Sequence, residues 1–323
     1  MREPWFWRSD SLSARAVTLL LAPAAAVYQA GHKLRWKVTT PATAPLPVIC
    51  IGNATLGGAG KTPFALLIAK LLVESDVKSA FLTRGYGGAL KGPVLVDTQS
   101  HNAGDVGDEA LLLARHAPTV VARNRPEGAA FAAKTGANVI IMDDGFQNPS
   151  LKKDLSILLA GAGERDAPQK TFPAGPFRET VKDASERADM VVSIVSDEGS
   201  AEGSQFAAWL APSKPPTPER VIAFAGIGRP EQFFSLLVNC GYDVAESIAF
   251  PDHHRFRDAE LDVLKQKAER LNAKLICTEK DFVRLSQSYQ PDIAFFPVEM
   301  RINNPKALTE KLLSCISAHE NAL

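Results

Sequence analysis

Hydrophobic and polar positions alternate along this chain in a regular rhythm. Short apolar runs at 48–52, 79–83, 119–122, 139–142, 155–159 and 190–195 read as buried parallel strands. Helical patterns at 61–74, 107–116 and 126–135 fall between them. Strands alternating with helices predict a doubly wound α/β sheet. Polar stretches rich in Gly, Ser and Pro over 196–218 (SDEGSAEGS, APSKPPTPE) read mainly as linker, with some core at 206–210. A second α/β block follows: strands at 220–225, 243–249, 274–278 and 294–298, and helices at 230–239, 258–271 and 305–318. The expected organisation is an N-terminal segment over 1–38, a larger domain over 39–210 and a smaller C-terminal α/β domain over 219–323.

The N-terminal segment breaks the rhythm. Residues 16–30 are almost wholly apolar, with Trp5, Phe6 and Trp7 before them and Lys33, Arg35, Trp36 and Lys37 after. A cleaved signal peptide would have this length of apolar core. A transmembrane helix would be longer and would not favour Pro23. A helix packed on its own domain is a third reading. Apolar bulk, aromatic anchors and flanking cations together favour a helix lying at a membrane surface. The nucleotide site read below argues against export. The segment 39–47, TTPATAPLP, closes this region as a linker.

Charge changes the picture locally. Lys plus Arg and Asp plus Glu both number 36, which excludes a strongly basic nucleic-acid binder. Yet no acid occurs between Asp10 and Glu74, while Arg15, Lys33, Arg35, Lys37, Lys61 and Lys70 lie in that interval. The N-terminal part therefore suits anionic partners. Cys50, Cys240, Cys277 and Cys315 form no CxxC pair and read as free thiols of a reducing compartment.

The strongest chemical signal is Gly57-Gly58-Ala59-Gly60-Lys61-Thr62, between the strand at 48–52 and the helix at 61–74. Glycines let backbone amides curl around phosphate oxygens, and the helix N-terminus adds a positive dipole end. Lys61 can reach the β- and γ-phosphates, and the Thr62 hydroxyl can ligate Mg²⁺. Pro63 suits a first turn. The common loop has Gly five positions before its last Gly; here that residue is Thr55. The strand at 139–142 ends in Asp143 and Asp144, carboxylates able to position a metal ion and its waters. Together these motifs predict a Mg-nucleotide site.

Other clusters leave alternatives open. Asp108 and Glu109 open a helix, as caps or as groups facing the phosphates. Thr83-Arg84-Gly85-Tyr86-Gly87-Gly88 is a glycine turn, or Arg84 and Tyr86 serve ligand. Asp252-His253-His254 offers one working His or a solvated loop. Arg123-Asn124-Arg125 is a polar strand end that binds phosphate or water. Thr278-Glu279-Lys280-Asp281 sits at a strand end, where ligand-facing residues gather, or forms a structural ion-pair cluster. Gly226-Ile227-Gly228 reads as a turn before a helix.

In order along the chain stand GNATLGGAGKTP, TRGYGG, GDEA, DDGFQ, GPFRE, FAGIGRPEQF, FPDHHRF and TEKD. This ordered set resembles the tetraacyldisaccharide 4'-kinases, the lipid A 4'-kinases of Gram-negative bacteria, from about Trp5 to Lys280. The resemblance implies transfer of the ATP γ-phosphate to the 4'-hydroxyl of a tetraacyldisaccharide 1-phosphate, giving lipid IVA at the cytoplasmic face of the inner membrane. It implies that Lys61 and Thr62 hold phosphates and Mg²⁺, and that Asp108 accepts the sugar proton with help from His253. It further implies that Asp143 and Asp144 organise the metal and phosphates, with Glu109 and Gln147 nearby. Arg84 and Tyr86 would line the cleft, and Arg178 and Glu179 would serve the substrate side. One departure stands out: the family's His after DDGFQ is Asn148 here, an amide that cannot act as acid or base.

Two rival functions remain at this level. A membrane-recruited ATPase switch needs the phosphate loop and the apolar helix but has no use for a base from a second domain. A soluble small-molecule kinase or ligase leaves the Trp-rich, acid-free N-terminus without a purpose.

Overall fold

The computed structural model describes residues 4–7, 9–57, 60–161, 164 and 169–321. Its larger sheet is built on β1 (Val48–Asn53), β2 (Ser79–Thr83), β3 (Val94–Leu95), β4 (Thr119–Val121), β5 (Val139–Asp143), β6 (Leu155–Gly161), β7 (Met190–Ile194) and β8 (Ala207–Pro212). The smaller sheet holds β9 (Arg220–Ala225), β10 (Asp243–Ala249), β11 (Lys274–Thr278) and β12 (Ile293–Phe296). A last strand, β13 (Val298–Ile302), returns to the larger sheet, whose order is β13-β8-β7-β6-β1-β5-β2-β4-β3. All its pairings are parallel except the two at the edges, β13 with β8 and β3 with β4.

Strand β1 explains why the centre is so apolar. Ile49 and Ile51 point to one face and Val48 and Cys50 to the other, as the period of two requires. Helices cover both faces, so every residue of the strand is buried. On one side lie α2 (Lys61–Val73), with Phe64, Ile68 and Leu72, and α10 (Pro305–Glu320), with Leu308, Leu312 and Ile316. On the other lie α5 (Arg125–Ala132) and α6 (Val181–Ser185). Each fully buried Leu, Ile or Phe here contributes roughly 1.5–3 kcal/mol.

The boundary expected at 219–323 is corrected by the pairing. Val298 lies opposite Pro212 and Ile302 opposite Ala208, antiparallel. Met300, Ile302 and the α10 leucines pack into the larger core. Only residues 220–296 form the smaller sheet, ordered β10-β9-β11-β12 and wholly parallel. The larger unit likewise extends past the expected 39–210. Residues 207–212, inside the expected linker, form β8, because Ala207, Ala208 and Trp209 bury against β7 and β13. Around the smaller sheet, α7 (Pro230–Asn239) covers one face and α8 (Asp258–Leu271) the other.

The N-terminal helix α1 runs from Leu12 to Val38, with Pro23 inside it and the Ser11 side chain accepting from the Ala14 amide at its start. It is long and apolar enough to cross a membrane. Leu12, Leu19, Leu20, Val27, Leu34 and Val38 are exposed along it. The helix and the turn before it are held to the body: the Trp7 indole, ahead of α1, donates to the Pro173 carbonyl at 3.1 Å, and Gln29 of α1 to the Thr171 hydroxyl at 2.7 Å. Near its end, the Arg187 guanidinium lies 4.7 Å over the Trp36 ring.

Candidate active site

The carboxyl ends of β1 and β5 lie side by side, with Ile51 opposite Asp143, and both carry chemistry there. After β1 the chain passes Thr55 and enters the phosphate loop. Thr55 does not need a glycine's freedom, because it forms an antiparallel bridge with Phe177, flanked by bonds from Leu56 N–H to the Pro176 carbonyl and from Arg178 N–H to the Ala54 carbonyl. The odd residue of the loop is thus a splint to the GPFRE segment. Gly60 caps α2 at a φ of 76°, a left-handed geometry that favours glycine. Gly58 and Ala59, expected to cradle phosphate, lie outside the described residues.

Lys61 opens α2, and its Nζ donates to Asn53 Oδ1 at 3.1 Å and to the Gly57 carbonyl at 3.2 Å, with Asp144 Oδ1 at 3.6 Å. The Thr62 hydroxyl donates to Asp143 Oδ2 at 2.9 Å. Asp143 Oδ1 is buried and has no partner. Burial, then the charges of Glu109 and Asp144, push the Asp143 carboxyl up to about 7 against the pull of Lys61 and Thr62. A strand-end carboxylate with an unshared oxygen beside a helix-start hydroxyl fits a hard cation that takes its other ligands from phosphate and water. Among the described residues no group of three or more His, Cys, Asp or Glu could cage a metal alone.

Asp144 follows at a φ of 51°, an uncommon conformation for a non-glycine residue. That turn aims its carboxylate at Arg178, whose Nη1 and Nη2 meet it at 2.9 and 3.2 Å. Burial opposes its ionisation, but Lys61 and Arg178 outweigh it and hold the carboxyl well below the ordinary range. Arg178 also donates to Gln147 Oε1 at 3.0 Å. The Gln147 amide in turn donates to the Asn53 carbonyl at 2.8 Å and to Glu179 Oε1 at 3.1 Å. Glu179 is buried and paired with Arg187.

A second cluster forms across the two sheets. Asp108 begins α4 (Asp108–Ala114), and Gly107 before it has a φ of 88°. A Cβ at Gly107 would lie 2.4 Å from the Tyr86 carbonyl, so glycine lets the TRGYGG turn pack on this helix start. From the loop after β10, His253 Nδ1 reaches both Asp108 oxygens, at 3.2 and 3.1 Å. His253 has a φ of 58°, and its ring lies 5.3 Å from that of Tyr86. Lys280 of α9 (Glu279–Phe282) donates to Glu109 at 2.9 Å and lies 3.8 Å from Asp108. Arg284 Nε donates to Asp108 Oδ2 at 2.9 Å. Burial opposes ionisation of Asp108, but the His253 bond and the charges of Lys280 and Arg284 keep it well below the usual carboxylate range.

The predicted residues thus fall into two groups: Lys61, Thr62, Asp143, Asp144, Gln147, Arg178 and Glu179 on one wall, and Tyr86, Asp108, Glu109 and His253 on the other. Arg84 is exposed after β2. Asn124 caps α5, whereas Arg125 is buried with its pKa lowered by burial to about 10. The sequence reading missed Asn53, fully buried at the end of β1, and Arg284. Asn53 is the polar residue ending an otherwise apolar strand, and Arg284 stands three residues beyond Asp281 of TEKD; those were the available signals.

A doubly wound sheet whose central strand ends in a lysine-bearing glycine loop, beside a strand ending in Asp143, defines a P-loop nucleotide-binding protein. The family model described as tetraacyldisaccharide-1-P 4'-kinase matches residues 17–317, and the chain belongs to that family. It is 47% identical over 307 residues to the tetraacyldisaccharide 4'-kinase of Parvibaculum lavamentivorans, covering 89% of this chain and 88% of that one. It is 44% identical to that of Paramagnetospirillum magneticum, covering 96% and 97%. Among solved structures it is similar to LpxK from Aquifex aeolicus, described as an apo form in complex with ATP. That likeness has a TM-score of 0.75 at 27% identity and covers 93% of this chain and 99% of that one.

Proposed function

We propose that this chain transfers the γ-phosphate of ATP to the 4'-hydroxyl of a tetraacyldisaccharide 1-phosphate in lipid A synthesis, as the kinases of its family do. The observation that carries the reading is the contact of His253 with Asp108 across the two sheets. An ATPase switch has no use for such a pair, whereas an alcohol acceptor must lose a proton as it attacks.

Gly57, Gly60 and Lys61 would receive the phosphates, with Asp144, held by Arg178, keeping Lys61 aimed. Thr62 and Asp143 would hold Mg²⁺, with Glu109 and Gln147 close to it. Bound there, the ion neutralises charge on the phosphate oxygens. Asp108 and His253 take the proton of the sugar hydroxyl together. Arg84 and Tyr86 line the acceptor side, and Arg178 and Glu179 brace the loop that faces substrate. Asn148 accepts from the Ser150 amide and hydroxyl, a turn-forming role that an amide fills without proton chemistry.

The exposed apolar side of α1 would lie in the membrane surface, because the helix is fastened to the body near both ends and so runs alongside it. Exposed Arg15, Arg35 and Lys37 would add about 1 kcal/mol each toward anionic lipid, while Lys33 pairs with Asp183 at 3.4 Å. The lipid substrate would reach the site from the cytoplasmic face, where ATP is available.

The test uses purified protein, γ-labelled ATP, Mg²⁺ and tetraacyldisaccharide 1-phosphate in detergent micelles. Label in the lipid is the expected result. Label released only as inorganic phosphate would overturn it in favour of the switch.

A further inference from the structure

We propose that Arg284 is a positioning residue for phosphoryl transfer, fixing the Asp108 carboxylate from the second sheet. The proposal rests on the reading of Asp108 and His253 as the proton-handling pair. The Arg284 side chain is 3% exposed, and that of Asp108 is 6% exposed. Its Nε donates to Asp108 Oδ2 at 2.9 Å, and its Nη2 reaches the same oxygen. Nη1 points the other way, donating to the Gly226 carbonyl and to Asp281 Oδ1, both at 2.8 Å.

The socket behind Arg284 is fully built. Asp281 is wholly buried; its Oδ1 also accepts from the Gly226 amide at 3.1 Å, and its Oδ2 accepts from the Thr278 hydroxyl at 2.6 Å. The His253 amide donates to the Gly226 carbonyl at 3.0 Å. One guanidinium therefore ties the turn after β9 and helix α9 to a single carboxylate of the larger unit, and the Gly226 carbonyl brings in the loop after β10. That assigns work to TEKD: Thr278 and Asp281 hold Arg284, while Lys280 crosses to Glu109.

Arginine suits this place because its planar fork meets carboxylates on opposite sides in one fixed geometry, whereas an ammonium is a flexible point charge. With Arg284 on Oδ2, the remaining oxygen keeps its bond to His253. The orientation of the pair then follows from seating the smaller sheet on the larger one. Arg115, which caps α4, adds to that seating, lying 5.8 Å over the Phe282 ring of α9.

Arg284→Ala would take from buried Asp281 its ion-pair partner and from Asp108 one of its cations, which could unfold the chain. Arg284→Lys keeps the charge and removes the fork. The experiment measures lipid phosphorylation by the full chain, with Arg284→Lys made in the wild-type and the Asp108→Ala backgrounds. In the wild-type background kcat should fall about tenfold with KM for ATP within about twofold. In the Asp108→Ala background the same change should cost less than about twofold, because its target is gone. An unchanged kcat, or an equal loss in both backgrounds, would overturn the proposal as a merely structural role. Full activity of Asp108→Ala alone would instead sink the reading of the catalytic pair on which the proposal rests.

Discussion

On the phosphate-loop wall, Asp143 has one oxygen on the Thr62 hydroxyl and the other without a partner. On the facing wall, Asp108 is held by His253, Arg284 and Lys280. Both carboxylates are buried, yet their acidities diverge: Asp143 rises to about 7, and Asp108 falls well below the usual range. Acids crowd Asp143, and cations from a second sheet crowd Asp108. Environments that push two carboxyl groups apart divide their labour. The first is short of positive charge and suits a metal ion with phosphates; the second is saturated and suits fixed alignment.

The largest effect should come from the wall that meets phosphate. Lys61→Ala is expected to lower kcat on the order of 10³-fold, since it removes a charge aimed at the transferred group. Nucleotide affinity, read with a fluorescent ATP analogue, should fall as well. His253→Ala should lower lipid phosphorylation on the order of 10²-fold while leaving ATP affinity unchanged. If both variants lose nucleotide affinity equally, the division between the walls is wrong.

A smaller effect probes how the first wall is braced. Glu179→Gln removes the charge that pairs with Arg187 and loosens Gln147, which touches both Asn53 and Arg178. The expected loss in kcat is about tenfold, as for other supports of ligating groups. A comparable gain in KM for ATP with kcat intact would show that the brace serves binding alone.

How far these walls can be read from residue order differs between them. The phosphate loop and Asp143 are local: a strand, a turn and a helix start announce themselves within a few residues. Strands β9, β10 and β11 and helices α7 and α8 were likewise legible from apolar periodicity. The return of Val298–Ile302 to β8 was not, because a short apolar strand carries no mark of which sheet it joins. Strand β8 was expected only as some core at 206–210 within a segment rich in Gly, Ser and Pro, where tertiary burial of Trp209 overrides composition. The facing wall had the least local signal. The resemblance pointed to His253 beside Asp108, but Arg284 stands 176 residues from Asp108 and meets it only through the fold.

The smallest effect separates the two acidities directly, in protein free of nucleotide and metal. Ionising Asp143 costs the folded state more than the unfolded chain, so its contribution to stability declines as pH rises from the ordinary Asp value, about 3.9, toward about 7. Asp108 and Asp144 behave oppositely: their stabilisation is complete above the ordinary value and is lost only in stronger acid. Asp143→Asn should therefore raise Tm relative to wild type by a few degrees at about pH 8 and by little at about pH 5. Asn keeps an oxygen for the Thr62 hydroxyl, so that bond does not cloud the comparison. Other groups that titrate in this window are common to both proteins and cancel in the difference. Mg·ATP should then reverse the ranking, stabilising wild type more than the variant, because the cation takes the charge that Glu109 and Asp144 oppose. A Tm difference independent of pH would mean that Asp143 rests ionised, and the contrast between the walls would reduce to geometry.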